Sequence, residues 1–160
     1  MNDPHGTPYT NNASDLKYMK ESIQEANKSI PAPLAYCVGA VLVGVNGEVL
    51  GRGFSRELEG NTHAEECALA KAEQDGKNTE GATMYSTMEP CSRRLSGNRS
   101  CTSRIIEAKI KRVVIGAREP PDLVNCEGIS LLEKEGIQVF IVPEVEEECL
   151  KPNQHILKKQ

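Results

Sequence analysis

A chain of 160 residues with 38% hydrophobic and 26% charged residues suits one folded domain with a single core. No apolar run approaches the roughly 20 residues of a membrane span, and the first residues lack the pattern of a secretory signal, so we expect a cytoplasmic protein. The net charge of -4, the absence of Trp and the presence of only two Phe argue against a nucleic-acid partner. Six cysteines without a secretory context indicate metal ligands or buried thiols rather than disulfides.

The N-terminal part predicts a tail, a helix and a hairpin. Residues 1–13 are rich in Asn, Pro, Thr and Gly and are expected to be a flexible tail. Ser14 can cap a helix over residues 15–29, and apolar residues recur at helical spacing, which predicts a buried stripe of Leu16, Met19, Ile23, Ala26 and Ile30. Asn46-Gly47 separates two apolar runs and predicts a hairpin of strands 38–45 and 48–55.

Gly51 and Gly53 alternate within the second strand of this hairpin. Glycine in a strand interior indicates a twist or bulge, or a place where a ligand approaches the backbone closely. Both interpretations stay open at the level of the sequence.

Beyond the hairpin, helical and strand patterns alternate. Helices are predicted over 63–74 (with Thr62 as N-cap), 98–108, 127–136 and 144–150, and strands over 82–88, 112–117 and 138–142. The fold class is therefore α/β, with a mixed five-stranded sheet covered by helices on both faces. The first two strands should pair antiparallel, and the later ones should run parallel. One domain is expected over 14–151, followed by a frayed tail over 152–160.

Two segments carry candidate chemistry: His63-Ala64-Glu65, and Glu89-Pro90-Cys91 with Cys101. One imidazole and two thiolates bind Zn²⁺ well, and three protein ligands leave a fourth position for water, whose pKa zinc lowers. Glu65 lies two residues from the proposed ligand His63, so it can move protons beside the metal without binding it. Cys67 shares a helix face with His63 and is a conceivable ligand, but a buried thiol is favoured for it, as for Cys37 and Cys126.

The combination His-x-Glu with Pro-Cys and a later Cys resembles the zinc-dependent nucleobase deaminases. Nine residues separate Cys91 from Cys101, and Gly97-Asn98 favours a turn that returns the chain to the metal. Thr87-Met88-Glu89-Pro90-Cys91-Ser92 and Arg93-Arg94-Leu95-Ser96-Gly97-Asn98 look like the fungal-type pyrimidine deaminases of riboflavin biosynthesis. The similarity covers roughly residues 16–142.

The resemblance implies a cytidine deaminase-like three-layer α/β/α fold and hydrolytic deamination of 2,5-diamino-6-ribitylamino-4(3H)-pyrimidinone 5′-phosphate, with release of ammonia. Zn²⁺ would be held by His63, Cys91 and Cys101, Glu65 would be the general acid and base, and the assembly would be a homodimer. Ala35-Tyr36 and Glu119-Pro120-Pro121-Asp122 differ from the bacterial pattern, so bacterial contacts do not transfer there.

Contacts to the substrate are predicted from the arginine-rich segment, since guanidinium groups bind phosphate oxygens in a fork. The candidates are Arg93, Arg94, Asn98, Arg99, Arg118 and Asp122. The alternative for the arginines is an ordinary solvated loop. A tRNA or free-nucleoside deaminase and a non-catalytic zinc-binding partner subunit are the competing functions.

Overall fold

The fold is a mixed five-stranded sheet between two layers of helices, seen in a computed structural model that describes residues 1–92, 94, 99–119 and 127–157. The strands are β1 Gly39–Val43, β2 Val49–Phe54, β3 Thr83–Met88, β4 Arg112–Ala117 and β5 Gln138–Ile141, in the spatial order β2-β1-β3-β4-β5. β1 is antiparallel to both β2 and β3, and β3, β4 and β5 are parallel. The predicted fold class and pairing are confirmed.

Helices cover both faces of this sheet. They are α1 Ala13–Ala26, α2 Ala64–Gln74, α3 Cys101–Glu107, α4 Gly128–Lys134, α5 Glu146–Leu150 and α6 Gln154–Leu157. Met19 and Ile23 of α1 pack with Val41 and Val114 on one face. The other face is covered by α2, α3 and α4, with residues such as Ala68, Ile105 and Leu132 in one apolar cluster. This arrangement is the predicted three-layer α/β/α architecture.

The first helix differs from its prediction at both ends. Asn12, not Ser14, is the N-cap, and its side chain accepts a hydrogen bond from the Asp15 backbone at 2.8 Å. The helix ends at Ala26, and Ile30 is 81% exposed, so Ile30 does not belong to the buried stripe. Pro31 and Pro33 follow closely, and proline disfavours helical backbone in the residue before it.

Gly51 and Gly53 allow α2 to lie directly on β2. A Cβ at Gly51 would stand 2.3 Å from the carbonyl oxygen of Ala68, and one at Gly53 would stand 2.4 Å from that of Ala64. The close approach that the sequence left open for a ligand is therefore made by the backbone of α2. This contact fixes the start of α2 against the sheet.

The N-terminal segment, for which the sequence predicts flexibility, lies along the free edge of β5. The Ile141 backbone donates to Pro8 at 3.0 Å, and Thr10 donates back to Ile141 at 2.9 Å. Asp3 is buried and forms an ion pair with Arg118 at 2.5 Å. These contacts hold the segment against the sheet.

The C-terminal segment also docks on the domain, where the sequence predicted a frayed tail. A 3₁₀ turn, Lys151–Asn153, leads into α6. Asn153 is fully buried, and its side chain accepts a hydrogen bond from the Cys37 backbone at 2.6 Å. Within the part of the chain described above, no helix combines the length and apolarity needed to cross a membrane.

Candidate metal and catalytic centre

Three separate segments bring His63, Cys91 and Cys101 together. His63 lies just before α2, Cys91 follows the end of β3, and Cys101 is the first residue of α3. Each sulfur atom lies 3.5 Å from Nδ1 of His63, and the ligand atoms of all three residues lie within 4.8 Å of one another. The three residues predicted from the sequence are therefore gathered around the same imidazole nitrogen.

Local hydrogen bonds shape the two cysteine segments. The Cys91 carbonyl accepts from the backbone and the hydroxyl of Thr102, at 3.1 and 2.8 Å. Ser100 caps α3 by accepting from the Ser103 backbone at 3.1 Å. The Cys101 backbone in turn donates to Cys91 Sγ at 3.2 Å, which is a contact that favours a thiolate.

The start of α2 differs by one residue from its prediction. His63, not Thr62, occupies the N-cap position, and the Thr62 hydroxyl bonds instead to the Leu58 backbone. The helix begins at Ala64, so Glu65 lies in the first turn. Unpaired backbone N–H groups at this end of a helix favour negative charge.

Glu65 is buried beside the cluster. Its residue is only 4% exposed, and burial, with the nearby charge of Cys91, raises the pKa of its carboxyl to about 7. The carboxyl also hydrogen-bonds with Cys101. A carboxyl with a pKa near neutrality suits a group that both takes and gives a proton.

The two thiols are electrostatically unequal. A hydrogen bond from Cys101, together with the imidazole of His63, lowers the pKa of Cys91 to about 4. The same hydrogen bond and burial raise the pKa of Cys101. Burial disfavours charge on His63, but its hydrogen bond with Cys91 and the charge of Glu65 outweigh this and raise its pKa.

The other cysteines within the described ranges lie apart from the ligand cluster. Cys67 points from α2 toward Gly53, and Cys37 and Cys149 are buried free thiols. The cluster that could hold a metal does not include Cys67. Cys126 lies outside the described residues.

The predicted substrate-binding arginines have protein partners. The side chain of Arg94 is 2% exposed and forms an ion pair with Glu66 at 2.9 Å. Arg99 pairs with Glu107 at the surface, and Arg118 pairs with Asp3. These contacts favour an anchoring role for Arg94 over phosphate binding. Arg93, Asn98 and Asp122 lie outside the described residues.

Two glutamates near the cluster have contacts that the sequence analysis did not assign. Glu66 accepts a hydrogen bond from the His63 backbone at 3.1 Å, which is half of a capping box and could have been anticipated from its place three residues after the N-cap. Buried Glu89 accepts from the backbones of Glu119 and Ile129, at 3.2 and 3.3 Å. It thereby joins the end of β3 to the start of α4, a long-range contact with no local sequence signal.

Comparison with known families gives a decisive match. The family described as the cytidine and deoxycytidylate deaminase zinc-binding region matches residues 12–117. The chain belongs to this family. The matched region contains His63, Glu65, Cys91 and Cys101.

Similar proteins include a pyrimidine deaminase and riboflavin biosynthesis proteins. A diaminohydroxyphosphoribosylamino-pyrimidine deaminase of Schizosaccharomyces pombe is 48% identical over 137 residues, which cover 84% of this chain and 34% of that protein. The chloroplastic riboflavin biosynthesis protein PYRD of Arabidopsis thaliana is 37% identical, with 91% of this chain and 33% of the relative covered. The chain thus spans about a third of the length of these curated relatives.

Solved structures agree over most of the chain. Aspergillus oryzae Rib2 deaminase in complex with DARIPP superposes with a TM-score of 0.77 at 34% identity, covering 88% of this chain and 90% of that one. A bifunctional deaminase/reductase of Thermotoga maritima has the same TM-score and identity, covering 92% of this chain and 42% of that one.

Proposed function

We propose that the protein catalyses the zinc-dependent hydrolytic deamination of a phosphorylated ribitylaminopyrimidine in riboflavin biosynthesis. The observation that carries the proposal is the convergence of His63, Cys91 and Cys101 within 4.8 Å, with buried Glu65 beside them. The similarity to a deaminase solved with DARIPP supports this substrate class.

The residues present suit a catalytic zinc ion. An imidazole nitrogen with two sulfur atoms is a donor set that Zn²⁺ prefers, and three protein ligands leave a position for water. The backbone donor to Cys91 stabilises a thiolate at that position. His63 Nδ1, Cys91 Sγ and Cys101 Sγ would hold the ion, which would polarise a water molecule and lower its pKa.

Glu65 would carry the protons of the reaction. Its carboxylate takes a proton from the attacking water as the C–O bond forms at the ring carbon that bears the amino group. It gives this proton to the ring nitrogen, then takes the second proton from the new hydroxyl group and gives it to the departing amine, so water and the aminopyrimidine yield ammonia and a carbonyl. Because Glu65 is almost fully buried, bulk water does not compete for these transfers.

Contacts to the substrate, including its phosphate, are assigned to polar residues of the segment between the cysteines and of the segment after β4. Arg93, Asn98, Arg99, Arg118 and Asp122 stay predicted contacts, and Arg99, with its half-exposed side chain, is the described arginine there most accessible to a ligand. A homodimer and a cytoplasmic location also stay predictions.

Ammonia release by the purified protein, with its zinc content measured, tests this proposal. The phosphorylated ribitylaminopyrimidine would be compared with cytidine and with a tRNA. We expect about one zinc per chain and ammonia from the pyrimidine phosphate alone. Release from cytidine or tRNA instead would reassign the substrate, and zinc without activity on any of the three would favour a non-catalytic zinc-binding subunit.

A further inference from the structure

One guanidinium group contacts all three segments that carry the proposed zinc ligands. Arg94 lies three residues after Cys91, and its Nη2 donates to the carbonyl of Asn61, two residues before His63. Its Nη1 donates at 3.3 Å to the carbonyl of Arg99, two residues before Cys101. The side chain therefore bridges the approaches to both other ligands.

Glu66 completes this bridge from the side of α2. One carboxylate oxygen accepts from Arg94 at 2.9 Å and from the His63 backbone at 3.1 Å. The other oxygen pairs with Arg104 of α3 at 3.3 Å. The Glu66 carboxylate thus links the start of α2 to Arg94 and to α3.

The chemistry of arginine suits this position. A planar guanidinium presents several N–H donors in a fixed fork, so it can satisfy two carbonyls and a carboxylate at once, whereas lysine is a point charge. Because the Arg94 side chain is only 2% exposed, water competes little with it for these hydrogen-bond partners. Contacts behind the ligands of a metal hold those ligands in place and commonly change metal affinity by about 10–100-fold.

We propose that Arg94, together with Glu66, is a positioning residue that sets the affinity and geometry of the zinc site. This inference rests on the zinc site of the proposed function but not on the identity of the substrate. It replaces phosphate binding as the role of Arg94, because both Nη atoms of the guanidinium donate to the protein's own carbonyl and carboxylate groups.

Metal binding without substrate tests the inference directly. Zinc affinity of R94Q would be measured by competition with a chromogenic chelator, and the absorption spectrum of the Co²⁺-substituted protein would report the ligand geometry. We expect R94Q to weaken zinc binding by about 10–100-fold and to alter the Co²⁺ bands. R94K keeps the positive charge but not the fork of N–H donors. Its zinc affinity should therefore be closer to that of R94Q than to that of the parent.

A matched control comes from another arginine–carboxylate pair, Arg112 with buried Asp15, at the opposite end of the parallel strands from the site. R112Q should lower the stability to urea but leave zinc affinity and the Co²⁺ spectrum unchanged. If R94Q does not fold, E66Q decides the matter, because it keeps the shape of Glu66 but weakens its bond with Arg94. A smaller loss of zinc affinity, below about tenfold, is expected for E66Q.

The inference is overturned if R94Q keeps parental zinc affinity and an unchanged Co²⁺ spectrum. Where R94Q is insoluble, the same result in E66Q overturns it. If R94K has parental zinc affinity while R94Q does not, the positive charge of Arg94 matters and the fork geometry does not. Kinetics separate this role from a phosphate clamp: at saturating zinc we expect kcat to fall, whereas a clamp would raise KM alone with zinc affinity intact. Because the metal readouts need no substrate, failure of the substrate proposal would not affect them.

Discussion

Glu65 offers the sharpest test at the scale of a single residue. E65Q keeps the size and burial of the side chain but removes the carboxylate that accepts the proton. Loss of a general acid–base group typically lowers kcat by about 10²–10⁴-fold. We expect such a fall with about one zinc per chain retained, measured by ammonia release and metal analysis. Glu73, exposed on the same helix, supplies the control E73Q, which should keep parental activity. Near-parental turnover in E65Q would remove Glu65 from the mechanism.

The residues of the candidate metal site differ in how well their roles could be predicted from the sequence. His63, Glu65 and Cys91 stand in short motifs whose spacing reflects metal chemistry, so their convergence could be predicted. Arg94 was predicted to bind phosphate because guanidinium groups bind phosphate oxygens in a fork, and an ordinary solvated loop was the alternative. Its burial depends on Glu66, Asn61 and Arg99, which approach only when the three ligand segments assemble. A local pattern contains no information about such a set of partners.

At the scale of elements, the contact between α2 and β2 fixes the helix that presents His63 and Glu65. A Cβ at Gly53 would lie 2.4 Å from the Ala64 carbonyl oxygen and 2.7 Å from Cys67 Cβ, so G53A must push the helix away. We expect a loss of about 3 kcal/mol in the free energy of unfolding, measured with urea. The control G44A meets only the Leu50 side chain at 3.3 Å and should cost about 1 kcal/mol or less. Equal stability of the two variants would contradict this view of the helix–sheet contact.

Element types could be predicted better than element ends. β4 occupies the predicted residues, because a β-branched run between polar residues leaves little choice. α1 begins at another cap and stops earlier, since Asn12 and Ser14 are both able to cap and only the folded chain selects one. For Gly51 and Gly53 the sequence left open a twisted or bulged strand and the close approach of a ligand, and it does not reveal that the approaching group is a helix.

At the scale of the whole molecule, Asn153 connects the C-terminal segment to the backbone that leads into β1. Its side chain accepts from Cys37 N at 2.6 Å and donates to Cys37 O at 3.3 Å, across 116 residues of sequence. N153A leaves a buried backbone N–H group without its acceptor, and we expect a loss of about 1–3 kcal/mol in the free energy of unfolding. Neighbouring Gln154 is exposed, so Q154A should be neutral by the same urea titration. A neutral N153A would show that the segment contributes little to the stability of the domain.

The ion pair of Asp15 with Arg112 joins α1 to the start of β4 and predicts how stability depends on pH. Asp15 is 1% exposed and accepts from Arg112 at 2.9 and 2.6 Å and from Tyr85 at 2.7 Å. Burial alone would raise the pKa of Asp15, but the hydrogen bonds from Arg112, Thr10 and Tyr85 outweigh burial and hold this pKa below its ordinary value.

A carboxyl whose pKa is lower in the folded than in the unfolded protein stabilises the fold above its unfolded pKa of about 3.9. That contribution is lost as the pH falls through the lower, folded pKa. D15N should therefore cost about 3 kcal/mol at pH 7, and the difference from the parent should shrink below pH 4. Urea titrations of both proteins across this range measure the difference directly. E21Q, which breaks the more exposed pair of Glu21 with Arg52, should cost about 1 kcal/mol or less at pH 7. A cost for D15N that stays constant down to pH 2 would mean that packing, and not the charge of Asp15, ties α1 to the sheet.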